Sequence, residues 1–263
     1  MRDCDFLIIG AGMAGACAGY FLAGAGDVII AERETQPAYH TTGRSAAFYV
    51  QSYGPAPVRR LTLASWRFFN APPAGFCDHP LLTGCGSLYI ARRDQAGALD
   101  AFYREMSELG AEVRLIGATQ ARARVPVLRR DYVARALAEP SSRDIDVAAL
   151  LQGFLRGMKQ RGGQLWADAG VHALRRAGGR WIAETTRGPI RAAVVINAAG
   201  AWGDEVALLA GARPIGLRPL RRTIITFDAP PEHKIDDWPL VLDVEESFYF
   251  KPEAGRILAT PAD

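Results

Sequence analysis

The sequence predicts an α/β fold: a Rossmann-like nucleotide-binding domain interrupted by an α+β domain built on an antiparallel sheet. Three observations predict it. A buried strand, a glycine turn, a small-residue helix and a second buried strand follow one another within residues 5–32. Four strand-like stretches and a strand-to-helix turn fill residues 164–211. After residue 212 the chain reads as long antiparallel strands. The type of segment changes near residues 55, 140 and 210, so the first domain is assigned to 1–78 and 142–205 and the second to 79–141 and 206–263.

Each element has its own warrant. "DFLIIG" is a short run of β-branched and aromatic residues, the pattern of a strand buried on both faces. "MAGACAGYFLAGAG" (13–26) reads as a helix with a small-residue face, and "DVIIAE" (27–32) as a second buried strand. "VRRLTLASWRFF" (58–69) is a helix bracketed by Pro and Gly. "GSLYIAR" reads as a strand and "DQAGALDAFYREMSELG" as a helix ending at Gly110. "EVRLI" and "DYVARALAE" are further strand candidates. In "SSRDIDVAALLQGFLRGMKQRGG", Asp146 is an N-cap candidate and Gly162-Gly163 the stop. "QLWAD", "VHALRR", "RWIAET" and "IRAAVVIN" are short strands, and "AAGAWGDEVALLAG" turns into a helix. "LRPLRRTIITF", "PLVLDV" and "SFYF" complete the second domain as antiparallel strands.

Composition narrows the function classes. The chain has 263 residues, 49% hydrophobic and 22% charged, enough for a buried core. A net charge of +3 is too weak to imply nucleic acid, and 28 of the 31 basic residues are Arg, as a GC-rich genome would give. Cys4, Cys17, Cys77 and Cys85 show neither CxxC spacing nor a Cys/His cluster. They are expected to be free thiols in a reducing, cytoplasmic setting, with no metal site. The apolar run from Phe6 to Ala31 has the length of a membrane span, but six glycines would weaken one long helix there. No transmembrane segment and no secretory signal are expected.

"GAGMAG" sets Gly10, Gly12 and Gly15 in G-x-G-x-x-G register between strand and helix. Gly10 allows the tight turn, Gly12 lets the backbone approach a pyrophosphate, and Gly15 lets helix and strand pack closely. The helix N-terminus offers free N–H groups to the phosphates. Glu32 ends the second strand 22 residues after Gly10, where a carboxylate can accept from ribose hydroxyls and would repel a 2′-phosphate. The stretch "RETQPAYHTTGRSAAFY" that follows is bare and rich in hydrogen-bonding groups. Gly43, Ser45, Ala46 and Ala47 lack the bulk to obstruct an isoalloxazine, and Thr41, Thr42 and Ser45 can donate to it or to the pyrophosphate. That favours a flavin over NAD, in a small-residue loop entering a helix. A plain surface loop has the same composition.

"IIGAGMAGACAGYFLAG…VIIAE", "TTGRSAA" and "VVINAAGAW" resemble the D-amino acid oxidase type of FAD-dependent oxidoreductase. "GRSAAFYVQSYG", "NAPPAGFCDHPLL", "VPVLRRD" and "ESFYFKPEAG" are most like its D-arginine dehydrogenase branch. The resemblance implies FAD as cofactor, with an FAD-binding domain split by a substrate-binding domain. It places Ala14 at the pyrophosphate, Glu32 and Arg33 at the adenosine ribose, and Thr41, Thr42, Gly43, Arg44, Ser45, Ala46, Ala47 and Phe48 along the pyrophosphate and flavin. Val171 falls at the adenine, and Ala199 and Gly200 beside the cofactor. Arg222 matches a substrate-carboxylate Arg, and Tyr53 and Tyr249 match two pocket tyrosines.

The implied reaction is oxidative deamination of a D-amino acid by hydride transfer from Cα to flavin N5, with no catalytic side chain beyond the flavin. A quinone or another carrier is the implied electron acceptor. Glycine, sarcosine or an L-2-hydroxy acid on the same fold stays open as substrate. The family's members run longer, and the match is expected to cover their N-terminal two-thirds; a product that binds FAD poorly is the other open reading. Phe48 stands where the relatives carry His, and Ser87 where they carry an acid, which removes a charge from the side-chain site.

Overall fold

The computed structural model describes residues 1–84 and 86–261. Cys85 lies outside them. The chain divides into two compact units, one made of Met1–Ala47, Pro72–Leu81 and Asp146–Pro219, the other of Phe48–Ala71, residues 82–145 and the chain from Leu220 onward. The two largest departures from the bounds expected from sequence lie at residues 48–71 and 206–219. Helix Ala56–Asn70 belongs to the second unit, because Trp66 and Phe69 pack on Tyr49 at ring distances of 5.1 and 5.8 Å. Residues 206–219 belong to the first, because Val206 is buried in its core.

The first unit is a six-stranded sheet in the order Val171–Ala177, Arg180–Thr185, Ile190–Asn197, Arg2–Ile9, Val28–Ala31, Gln164–Trp166. The last four strands pair in parallel and the first three form an antiparallel meander. Leu7, Ile8, Ile29 and Ile30 are fully buried, which is why the central strands read as unbroken apolar runs. The small-residue stripe of helix Met13–Leu22 is explained by packing. A Cβ on Gly19 would meet Met158 Sδ at 2.8 Å and Ile30 Cδ1 at 2.9 Å, and one on Gly157 would meet the Tyr20 ring at 2.4 Å. The helix stops at Leu22, not Gly26, and residues 23–26 form a turn. Helix Val147–Gln160 begins on Asp146, which accepts from the Ala149 N–H at 2.8 Å, and ends at Gly162 with φ +88°.

The loop after the second strand does not enter a helix as expected. Thr42–Arg44 is one 3₁₀ turn that passes into an extended segment. Its tightness needs Gly43, whose N–H donates to Ala38 O at 2.8 Å and whose Cβ would lie 2.4 Å from that oxygen.

The second unit carries a seven-stranded sheet in the order Ile225–Asp228, Arg256–Thr260, Tyr249–Glu253, Leu240–Asp243, Ser87–Ala91, Arg135–Glu139, Arg114–Gly117. It is mixed, correcting the expected antiparallel sheet. Leu240–Asp243 runs parallel to Ser87–Ala91, and every other pair is antiparallel. The long connection from Ala91 to Leu240 permits a crossover that a hairpin would forbid. Leu88, Ile90, Ala136 and Val241 are fully buried in its core. A small sheet of Phe48–Tyr49, Arg143–Ile145 and Leu82–Thr83 completes the unit. "LRPLRRTIITF" is not one long strand. Only Ile225–Asp228 pairs, and Pro219 and the exposed Leu220 lie in irregular chain before it. Helix Ala118–Arg124 was not expected; its signal is Gln120, whose side chain accepts from the Gly117 N–H at 3.1 Å. Among the described residues, no helix is long and apolar enough to cross a membrane.

Candidate functional site

A cleft opens in the first unit at the C-terminal ends of its parallel strands. Gly10, φ +103°, makes the turn out of the first strand, and a Cβ there would sit 2.5 Å from Ala198 O. At Gly12 the added Cβ would meet only Thr42 Oγ1, at 3.2 Å, so the backbone is open to a ligand. Thr42 Oγ1 also accepts the Met13 N–H at 3.0 Å. Gly15 is set differently. Its Cβ would fall 1.9 Å from Gly10 O, so its lack of a side chain serves the strand–helix contact.

Glu32 is the anchor of this cleft. Its Oε2 accepts the Ala11 N–H at 2.7 Å and its Oε1 the Glu34 N–H at 2.9 Å. The carboxylate is almost completely buried, and each oxygen keeps a lone pair for a further donor. Arg33 lies 3.7 Å over the Trp202 ring, and the His40 ring packs at a tilt of 58° against the same indole, 4.6 Å between centroids, while its Nε2 lies 2.8 Å from Glu34 Oε1. That contact holds the Glu34 carboxyl below its ordinary range, with Arg33 adding to it.

Of the residues expected at a cofactor, Gly10, Gly12, Glu32, Arg33, Thr41, Thr42, Val171, Ala199 and Gly200 line this cleft. Ala14 is exposed on the helix and Gly15 is buried behind the turn, so neither lines it. Gly43, Arg44, Ser45, Ala46 and Ala47 do not line it either, and Arg44 lies over the Tyr39 ring at 5.3 Å. Trp202 also lines the cleft, without a role foreseeable from sequence. Its only signal was a lone large ring in a run of small residues. The donor set fits an adenine dinucleotide: an open glycine at a helix start, and a rigid carboxylate with acceptor capacity at the end of the second strand.

The second unit brings Tyr53 and Arg222 each within electrostatic reach of Tyr249. Burial raises the Tyr249 phenol above its ordinary range, with the Arg222 and Lys251 cations opposing and Tyr53 reinforcing the shift. Tyr53 is 48% exposed and Arg222 is exposed. A separate cleft is lined by Phe48, Ser142, Asp144 and Lys251. Lys251 Nζ lies 3.1 Å from Asp144 Oδ1 and 4.6 Å over the Phe48 ring, and also pairs with Glu253. Burial raises the Asp144 carboxyl, and Lys251 opposes this. Ser87 does not line that cleft. It is buried, with its Oγ 2.9 Å from Ser142 Oγ. The sequence reading missed Lys251 and Asp144; the signal was Lys251 two residues after Tyr249, on the same face of a strand. Among the described residues, no group of three or more His, Cys, Asp or Glu could hold a metal ion.

Residues 5–263 match the family described as "DAO: FAD dependent oxidoreductase". The chain belongs to this family. Mitochondrial dimethylglycine dehydrogenase of Rattus norvegicus is 26% identical over 269 residues, which cover 98% of this chain and 30% of the relative. The chain thus spans about 30% of the length of that relative. Among solved structures, glycine oxidase from Geobacillus kaustophilus superposes with a TM-score of 0.82 at 21% identity, covering 98% of this chain and 71% of the other. Iminodiacetate oxidase from Chelativorans sp. BNC1 superposes at 0.72 with 26% identity, covering 97% and 70%. These structures share the α/β architecture of the chain.

Proposed function

We propose that this chain binds FAD in the first unit's cleft and serves the oxidative deamination of a D-amino acid. The observation that carries the cofactor is Glu32, whose two oxygens are fixed by the Ala11 and Glu34 N–H groups and remain able to accept from ribose hydroxyls. A negative charge held there disfavours a 2′-phosphate, which supports FAD over NADP. Gly12 and the N-terminus of helix Met13–Leu22 would hold the pyrophosphate. Bound there, FAD would supply a hydride acceptor for the substrate Cα, and the resulting imino acid would hydrolyse to a 2-oxo acid and ammonia.

The second unit would supply substrate binding. The Arg222 guanidinium suits a carboxylate, as a charge-assisted and potentially bidentate donor. Tyr249, whose phenol is raised by burial, remains a hydrogen-bond donor at neutral pH, and Tyr53 adds a second hydroxyl. A quinone or another carrier as electron acceptor follows from the resemblance to the dehydrogenase branch. The free thiols Cys4, Cys17 and Cys77 support a cytoplasmic setting.

A second reading takes glycine or an N-methylated glycine as substrate. It is favoured by Ser87, which is closed off by Ser142, and by Phe48, whose ring is covered by Lys251; little is left to receive a long side chain. Anaerobic bleaching of the flavin by a panel separates the two. The first reading expects D-Met, D-Leu and D-Phe to bleach it faster than glycine, sarcosine or dimethylglycine. Bleaching by the glycine set alone replaces it with the second. No bleaching by any amine overturns both.

A further inference from the structure

We infer that Glu139 is a positioning residue for Tyr53. The inference rests on the reading of Tyr53 as part of the substrate site. Glu139 is the last residue of strand Arg135–Glu139, and its side chain is completely buried. A carboxylate so placed requires donors. Its Oε1 accepts the main-chain N–H of Gln51 at 2.8 Å. Its Oε2 accepts a hydrogen bond from the hydroxyl of Ser52.

A third group completes the chain of donors. Tyr89 Oη lies 2.9 Å from Ser52 Oγ, and both residues are buried. Ser52 has one proton to give. With that proton directed at Glu139, the Ser52–Tyr89 contact must be donated by Tyr89. Burial pushes the Tyr89 phenol well above its ordinary range, so it keeps the proton it donates. The order is Tyr89 to Ser52 to Glu139.

The consequence falls on the next residue. Gln51 and Ser52 are pulled inward by adjacent bonds to one carboxylate, and Ser52 is 1% exposed. Tyr53 is turned the other way and is 48% exposed. Gly54, φ +82°, then bends the chain into helix Ala56–Asn70. The peptide that carries Tyr53 is therefore held on one side by Glu139 and on the other by a glycine turn. Glu139 has no exposed surface with which to touch a ligand, so it acts through Tyr53.

The test uses Glu139→Gln in the full chain, with two readouts. The variant's Oε1 can still accept from Gln51, but its amide NH2 would face Ser52 Oγ, so that one hydroxyl proton of the Ser52–Tyr89 pair would be left without an acceptor. Hydrogen exchange at residues 50–54 is expected to speed up about tenfold, with the rest of strand Arg135–Glu139 unchanged. Calorimetric Kd values for D-leucine, glycine and sarcosine are expected to rise about tenfold for those that bind the parent, and to stay level when the same change is made in a Tyr53→Ala background. Unchanged exchange at 50–54, or an equal Kd penalty with and without Tyr53, overturns the inference. If Glu139→Gln does not fold, Ser52→Ala makes the same two comparisons and decides on the same results. If none of the three ligands binds the parent, the substrate reading of Tyr53 fails, and exchange at 50–54 still decides whether Glu139 sets this segment.

Discussion

The carboxylate of Glu32 accepts the main-chain N–H of Ala11 at 2.7 Å, tying the end of the second strand to the turn that follows the first. With the Glu34 N–H on its other oxygen, the side chain is rigid before any ligand arrives. Such preorganisation lowers the cost of binding. Glu32→Gln would set its NH2 group against one of these two N–H donors. The expected result is a rise in the Kd for FAD of about tenfold or more, read by fluorimetric titration of the apoprotein. An unchanged Kd would remove Glu32 from the ribose.

Gly15 separates packing from ligand binding. A Cβ there would lie 1.9 Å from Gly10 O, a backbone atom that cannot swing aside. Gly15→Ala is expected to cost about 1–3 kcal/mol of stability, the range of an overpacked core. Thermal unfolding of the apoprotein measures this without the cofactor. A Tm equal to that of the parent would mean that strand and helix do not meet in this way.

Asp146 predicts a pH dependence. The Ala149 N–H, and then the His79 side chain 2.9 Å away, lower its carboxyl from the ordinary range. The folded value is below the unfolded one. The capping stability is therefore present above the unfolded value, about pH 4, and is lost as pH falls through the folded value. Asp146→Ala should destabilise the protein by about 1 kcal/mol at neutral pH, and the gap from the parent should narrow in acid. A constant gap from neutral to acid pH would show that the carboxylate charge plays no part in the cap.

Arg222 carries the substrate-carboxylate prediction. Arg222→Ala should weaken binding of an amino acid ligand by about 1.5–3 kcal/mol, and Arg222→Lys should restore only part of it, since a point charge cannot bond bidentately. Ligand titration of the FAD-loaded protein reads both. Equal affinity in all three proteins would place the carboxylate elsewhere.

Much of the first unit was legible because its signals are local. The apolar runs around Leu7 and Ile29, the turn at Gly10, the Asp146 cap and the Gly162 stop are each set by a few adjacent residues. What sequence could not give depends on distant partners. The parallel pairing of Leu240–Asp243 with Ser87–Ala91 joins segments far apart in the chain, and apolar strands do not announce their neighbours. The irregular chain at 217–224 carries β-favouring residues but finds no ladder there. In the candidate sites, Glu32 was visible from its spacing. Glu139 and Lys251 were not, because a buried charge is recognised by its partners, Ser52 and Gln51 for one and Asp144 and Phe48 for the other.

FAD binding in the cleft bounded by Gly12 and Glu32 is read from the visible absorbance spectrum of the purified protein, before and after titration with FAD. The expected result is a yellow protein with flavin bands that releases one FAD per chain on denaturation, and a Glu32→Gln variant that loses the colour on gel filtration. A colourless protein that takes up no FAD on titration, or a variant that keeps its FAD as firmly as the parent, would contradict it.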